Sequence, residues 1–190
     1  DLAPKIAGAH ESHGGFPGMY VLLSPLLLFP VTLMLPAALS TGWHRRAEPA
    51  IRFAVCWLVP AWLMFELAPT KLWHYTLPTF GALAWLMAAA LTQPVGALSR
   101  RLGVALSAFA AVVVALLVFY GLSEFADPSD QLWATFTVGL AGVGVVVAAF
   151  FLLQRAAMTA LIVSLAFGVL AHASLVRLVG GLEPLWLSPR

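Results

Sequence analysis

Apolar residues fill the chain in long blocks separated by short polar breaks, and six blocks stand out: residues 19–39, 51–68, 75–91, 102–122, 132–153 and 158–179. A hydrocarbon core of about 30 Å is crossed by roughly 20 apolar residues in a helix. The pattern therefore predicts an all-α fold, a polytopic transmembrane helical bundle of six spans with short loops. Pro25, Pro30 and Pro36 should bend the first span and Pro60 the second, which a bilayer tolerates because neighbouring helices satisfy the freed carbonyls. Pro78 lies in the first turn of the third span, where a missing N–H costs little. Gly139, Gly142 and Gly144 in the fifth would let another helix approach closely. There is no fixed-period repeat. The bent early spans and the featureless last three suggest two unequal parts, with the ionisable residues gathered in the first half.

Composition agrees with this pattern. The chain is 62% hydrophobic and 9% charged, with a mean hydropathy of +0.95, whereas a soluble domain carries about a quarter charged residues. An ordinary soluble domain is excluded. The basic pI of about 9.0 is no sign of nucleic acid, because the few basic residues sit in short loops, where they report topology. The connections after spans one, three and five hold Arg45, Arg46, Arg52, Arg100, Arg101 and Arg155 against Glu48 alone, while Glu124, Asp127 and Asp130 make another loop acidic. The positive-inside rule puts the arginine loops in the cytoplasm and both chain ends, the His10 region and the loop around Lys71 on the external face. The single cysteine, Cys56, lies in an apolar block and rules out an internal disulfide or a thiolate cluster. Residues 1–18 lack the basic-then-apolar order of a secretion signal. They begin without a start methionine on a loop-like stretch, so we expect part of a longer protein: an external loop at 1–18, then a transmembrane region at 19–190.

Candidate chemistry concentrates between Glu66 and Pro78, where four ionisable side chains stand between two apolar blocks. Ionisable groups at a membrane boundary are costly and mark function by default. Lys71 suits the phosphate of a membrane-anchored substrate as a point charge; snorkelling to water is the structural alternative. His74 and Tyr75 offer an imidazole and a hydroxyl to the same phosphate or to a sugar, against a role as interfacial anchors. Glu66, about one helical turn from Lys71, is expected to pair with it. His10, Glu11 and His13 carry donors suited to a divalent metal, although the spacing is not the His-Glu-x-x-His of metalloproteases; solvated or substrate-facing loop residues are the other reading. Arg177 and the acids of the 123–130 loop read as interfacial charges.

Two stretches together resemble glycosyltransferase family 39, the GT-C-type integral membrane enzymes that include aminoarabinose–lipid A transferases and are related to protein O-mannosyltransferases. One runs from Glu11-Ser12-His13-Gly14-Gly15 to Met19-Tyr20 and on to Phe29-Pro30; the other is Pro69-Thr70-Lys71-Leu72-Trp73-His74-Tyr75-Thr76-Leu77-Pro78. Trp73 stands where the family usually has proline. The likeness covers residues 11–91, and the later spans match only in being apolar. It implies an enzyme that takes a sugar from a polyprenyl-phosphate donor and passes it, with inversion, to a lipid or protein acceptor at the external, periplasmic face of the bacterial inner membrane, with membrane lipids as surroundings and no nucleic acid. Lys71, His74 and Tyr75 would contact the lipid phosphate, and Glu11 and His13 would belong to the loop closing over the site. The family's general-base carboxylate has no counterpart here, so the resemblance implies that this segment alone does not catalyse. Two other readings stay open from the residues: half of a transporter or flippase for an anionic lipid-linked substrate, and a non-catalytic scaffold.

Overall fold

The computed structural model describes residues 15–125 and 130–181. Among them every element is helical: α1 (Met19–Leu27), a 3-10 turn (Val31–Met34), α2 (Leu35–His44), α3 (Pro49–Leu67), a 3-10 turn (Leu77–Thr79), α4 (Phe80–Ala90), α5 (Ala97–Phe125), α6 (Asp130–Leu153) and α7 (Ala157–Gly181). The all-α membrane bundle is borne out; the number of spans is not. Four helices, those beginning at Pro49, Ala97, Asp130 and Ala157, are long and apolar enough to cross a membrane. A fifth is reached only by counting Met19–Leu27 with Val31–His44, which are bent by 117°. The first block thus breaks before the 3-10 turn, at Pro30, whose ring cannot continue a helix. Pro25 stays inside α1. The third block gives only Leu77–Ala90, shorter than 18 residues.

The chain divides into two compact units. The first comprises residues up to Ser24 and Leu35–Pro94. Its centre is α2 and α4 packed with α3 through Leu35, Ala38, Ile51, Ala54, Leu83 and Leu86, all buried. Helices α3 and α4 run antiparallel, as three aromatic contacts show: Phe53 meets Trp85 at 6.2 Å, Trp57 packs against Gly81, and Phe65 meets Tyr75 at 5.8 Å. A side chain at Gly81 would stand 2.6 Å from the Trp57 ring. The short α4 therefore returns to the end where α3 begins. There Arg45 forms a two-pronged ion pair with Glu48, at 2.8 Å for each bond, and donates to Ala89 O at 3.0 Å and Thr92 Oγ1 at 3.1 Å. A cation on the last carbonyls of α4 complements the helix dipole. Arg46 lies over the Trp43 ring at 4.6 Å.

The second unit comprises Pro25–Met34 and the chain from Val95 onward. Helices α6 and α7 pair along Ala134, Thr137, Ala141, Gly144 and Ala148, a stripe of small buried residues spaced by three and four. Small residues let helix backbones approach where the solvent is itself apolar. Gly144 faces Phe167 so closely that a Cβ would lie 2.5 Å from it, whereas Gly139 and Gly142 meet nothing within 4 Å. The close approach expected at all three glycines is corrected accordingly: it occurs at Gly144, and at Gly139 and Gly142 no neighbour comes within 4 Å of a Cβ. Thr137 Oγ1 and Ser174 Oγ share a buried hydrogen bond of 2.7 Å across it, and Arg177 covers the Trp133 ring at 4.8 Å. The turn between the helices closes with Ala156 N donating to Phe151 O and Arg155 N to Leu152 O, with Arg155 in the left-handed region at φ 67. That is a Schellman closure. The 3-10 turn is held by Ser164 Oγ donating to Pro30 O at 2.6 Å and by Gly103, whose missing side chain leaves room for the Leu33 carbonyl.

The Arg45 guanidinium, hydrogen-bonded to Glu48, holds the Glu48 carboxyl below its ordinary 4.5. Such a contact favours the folded state above that value and is lost as pH falls through the lower folded-state value. Thermal stability in detergent should drop on acidification, and Glu48→Gln should remove a small part of that drop, small because the pair is solvent-exposed. An identical acid limb in the variant would exclude the contact as a contributor.

Candidate functional site

Helix α3 ends because Ala68 precedes a proline, which disfavours helical backbone; its φ is −62 and its ψ 132. Ala68 N still donates to Met64 O, but the carbonyls beyond lack helical partners. Lys71 doubles back and supplies them. Its Nζ donates to Phe65 O at 3.1 Å, Glu66 O at 2.7 Å and Ala68 O at 3.0 Å. An ammonium has three protons, so all are engaged, and the side chain is only 4% exposed. The Tyr20 ring lies 5.4 Å from Nζ, and the Tyr20 hydroxyl donates to Leu72 O at 2.8 Å.

Glu66 does not pair with Lys71 through its carboxylate, contrary to the sequence reading. The lysine takes the Glu66 main-chain oxygen, while the carboxylate reaches the start of α1, accepting from Gly18 N at 2.9 Å and Val21 N at 2.8 Å. Trp62 Nε1 adds a longer contact of 3.4 Å. Helix N-termini leave amides without partners, and an anion there is favoured by the dipole. Gly18 has φ +97, a conformation open to glycine at little cost. The pairing fails because periodicity gives distance along a helix and not which backbone lies opposite.

Tyr75 is half-buried, its ring on Phe65, and His74 stands exposed with its ring edge-on to Tyr75 at 5.3 Å. Phe65 thus joins the set: its carbonyl holds Lys71 and its ring holds Tyr75. None of the Lys71 protons goes to His74 or Tyr75. Thr76 is fully buried, and its hydroxyl oxygen makes no hydrogen bond. Trp73 is 57% exposed, as an interfacial anchor would be. His10, Glu11 and His13, offered for substrate or metal, lie outside the described residues. Among the described residues no group of three or more His, Cys, Asp or Glu could hold a metal ion. Sequence reasoning assigned no role to Tyr20 or Gly15, which both touch Lys71; Tyr20 appears in the family-like motif, which was the available signal.

Several curated proteins are similar to part of this chain. One from Pectobacterium atrosepticum is 47% identical over 62 residues, 32% of this chain and 11% of that protein. One from Pectobacterium carotovorum is 43% identical over 75 residues, 39% and 14%, and one from Pseudomonas paraeruginosa is 34% identical over 89 residues, 47% and 16%. Each is an undecaprenyl phosphate-alpha-4-amino-4-deoxy-L-arabinose arabinosyl transferase. By name these relatives are glycosyltransferases whose sugar is carried on undecaprenyl phosphate. They bear out the resemblance to glycosyltransferase family 39, and the matched stretches span well under a fifth of their length. No family model matches the chain, and no solved structure matches it.

Removal of the Glu66 carboxylate leaves two amides at the start of α1 without an acceptor, at a cost of about 1–3 kcal/mol. Glu66→Ala should lower thermal stability in detergent by that much and Glu66→Gln, which keeps one acceptor oxygen, by less. An unchanged stability in Glu66→Ala would mean that the capping bonds contribute nothing.

Proposed function

We propose that this chain is part of an integral membrane glycosyltransferase of the bacterial inner membrane that moves a sugar from a polyprenyl-phosphate donor to a lipid or protein acceptor at the periplasmic face. The observation that carries the reading is the likeness to named arabinosyl transferases, taken with a lysine anchored at the end of α3 inside the family-like stretch. The relatives' names favour transfer over transport.

As the glycosidic bond breaks, charge gathers on the departing phosphate, and a fixed cation in a dry site stabilises it more than water would. Lys71 supplies that cation by exchanging one carbonyl for a phosphate oxygen. Tyr75 and His74, at the open side of the loop, contact the phosphate or the sugar. An apolar cavity of about 250 Å3 in the first unit, walled by Val21, Leu58, Trp62, Leu63 and Leu83, offers isoprenoid-like surface next to Glu66, since Val21 and Trp62 also touch its carboxylate. The acceptor's proton goes to a carboxylate supplied elsewhere in the whole protein. The loop at residues 1–18, with Glu11 and His13, faces the substrate from the same external side, and the Arg45 end of the first unit faces the cytoplasm.

In the full-length protein, Lys71→Ala should lower sugar transfer by about 100-fold or more, the usual loss when one charge-stabilising donor is removed. Insertion, checked by reconstituted yield and monodispersity, should persist. Transfer at the parental rate would remove Lys71 from the site.

A further inference from the structure

Gly15 lies directly on the stem of Lys71. A Cβ at this position would stand 2.6 Å from Lys71 Cδ, 3.0 Å from Lys71 Cγ and 2.8 Å from Met19 Sδ. The Met19 thioether ends a flexible chain and can swing aside. Lys71 cannot, since Cδ is two bonds from an Nζ fixed on three carbonyls. We propose that Gly15 is a positioning residue for Lys71: its bare backbone is the wall against which the lysine stem lies, and that wall sets the ammonium on the end of α3.

A methyl group at Gly15 forces the stem outward, and because a shift of a few tenths of an ångström at Cδ is enlarged at Nζ, one or more carbonyl bonds must lengthen. A consequence for phosphate binding would rest on the proposed glycosyl transfer; the geometric dependence of Lys71 on Gly15 stands without it.

Amine acylation followed by peptide mass spectrometry assigns each modified lysine to its own peptide, so Lys71 is read separately from Lys5 and from every other amine of the full-length protein. Lys71 of the parent should resist acylation until the protein is denatured, and Gly15→Ala should raise its native-state rate about tenfold or more, as local opening exposes a buried group. Equal rates in the two proteins would overturn the inference. If Gly15→Ala yields little folded protein, thermal stability of the cycle formed with Lys71→Ala decides. Residues in direct contact are non-additive, so removing the stem should make room for the methyl and erase most of the Gly15→Ala loss. A loss of the same size with and without the lysine stem would overturn it equally. Transfer by Lys71→Ala reports on the proposed function alone: parental transfer there, with acylation and stability behaving as stated, would sink that function and leave the positioning role intact.

Discussion

Helix ends in an apolar setting expose backbone groups that water does not satisfy, and the placement of charge in the first unit follows from that. The carbonyls closing α3 take the Lys71 ammonium, the amides opening α1 take the Glu66 carboxylate, and the last carbonyls of α4 take Arg45. In each case the sign matches the helix dipole. A buried amide or carbonyl left alone costs about as much as the hydrogen bond it lacks; the ends of α3 and α1 are of that kind, whereas the end of α4, beside the exposed Arg45–Glu48 pair, is open to water. The charged side chains are therefore retained as end-pieces of helices before they are anything else. After α6 the chain instead closes on itself through backbone bonds at a left-handed residue, Arg155.

The hydropathy pattern carried the fold class and the four long helices, whose ends lie within a few residues of the apolar blocks except at α5, because length and apolarity are local properties of sequence. It did not carry the break at Pro30. Three prolines in one block announce a bend, but which of them interrupts the helix depends on the partners around it: Pro25 is accommodated, while the Pro30 carbonyl is taken by Ser164, far away in the chain. The same limit applies to the candidate site. Lys71 and Glu66 were visible as ionisable groups at a membrane boundary, yet their separation suggested that they face each other. They in fact serve two different helix ends, because the loop at Gly18 brings the start of α1 within reach of the carboxylate. The α6–α7 seam shows a third form of it: glycine marks where an approach is permitted, and the alanine and threonine positions at heptad-like spacing decide where it occurs. The two histidines and the glutamate near the N-terminus fall outside the described residues.

The engagement of all three Lys71 protons bears on what the site can select. A neutral ligand oxygen offers the ammonium no more than the carbonyl it would replace, so exchange gains nothing and the lysine stays on α3. A phosphate oxygen differs, because its full negative charge adds a Coulombic attraction to the ammonium that a neutral carbonyl lacks, and a water-poor setting strengthens that attraction. The advantage also grows as negative charge accumulates, so on the proposed reading Lys71 holds the departing carrier phosphate more strongly than the intact, less charged donor. That difference is what accelerates a reaction, since a contact equal in ground and transition states lowers no barrier. A lysine free in solvent at the same place would bind donor and product alike through a screened charge. Occupying it with backbone carbonyls sets a threshold, and the structural role of Lys71 at the end of α3 and its proposed chemical role then follow from the same three hydrogen bonds.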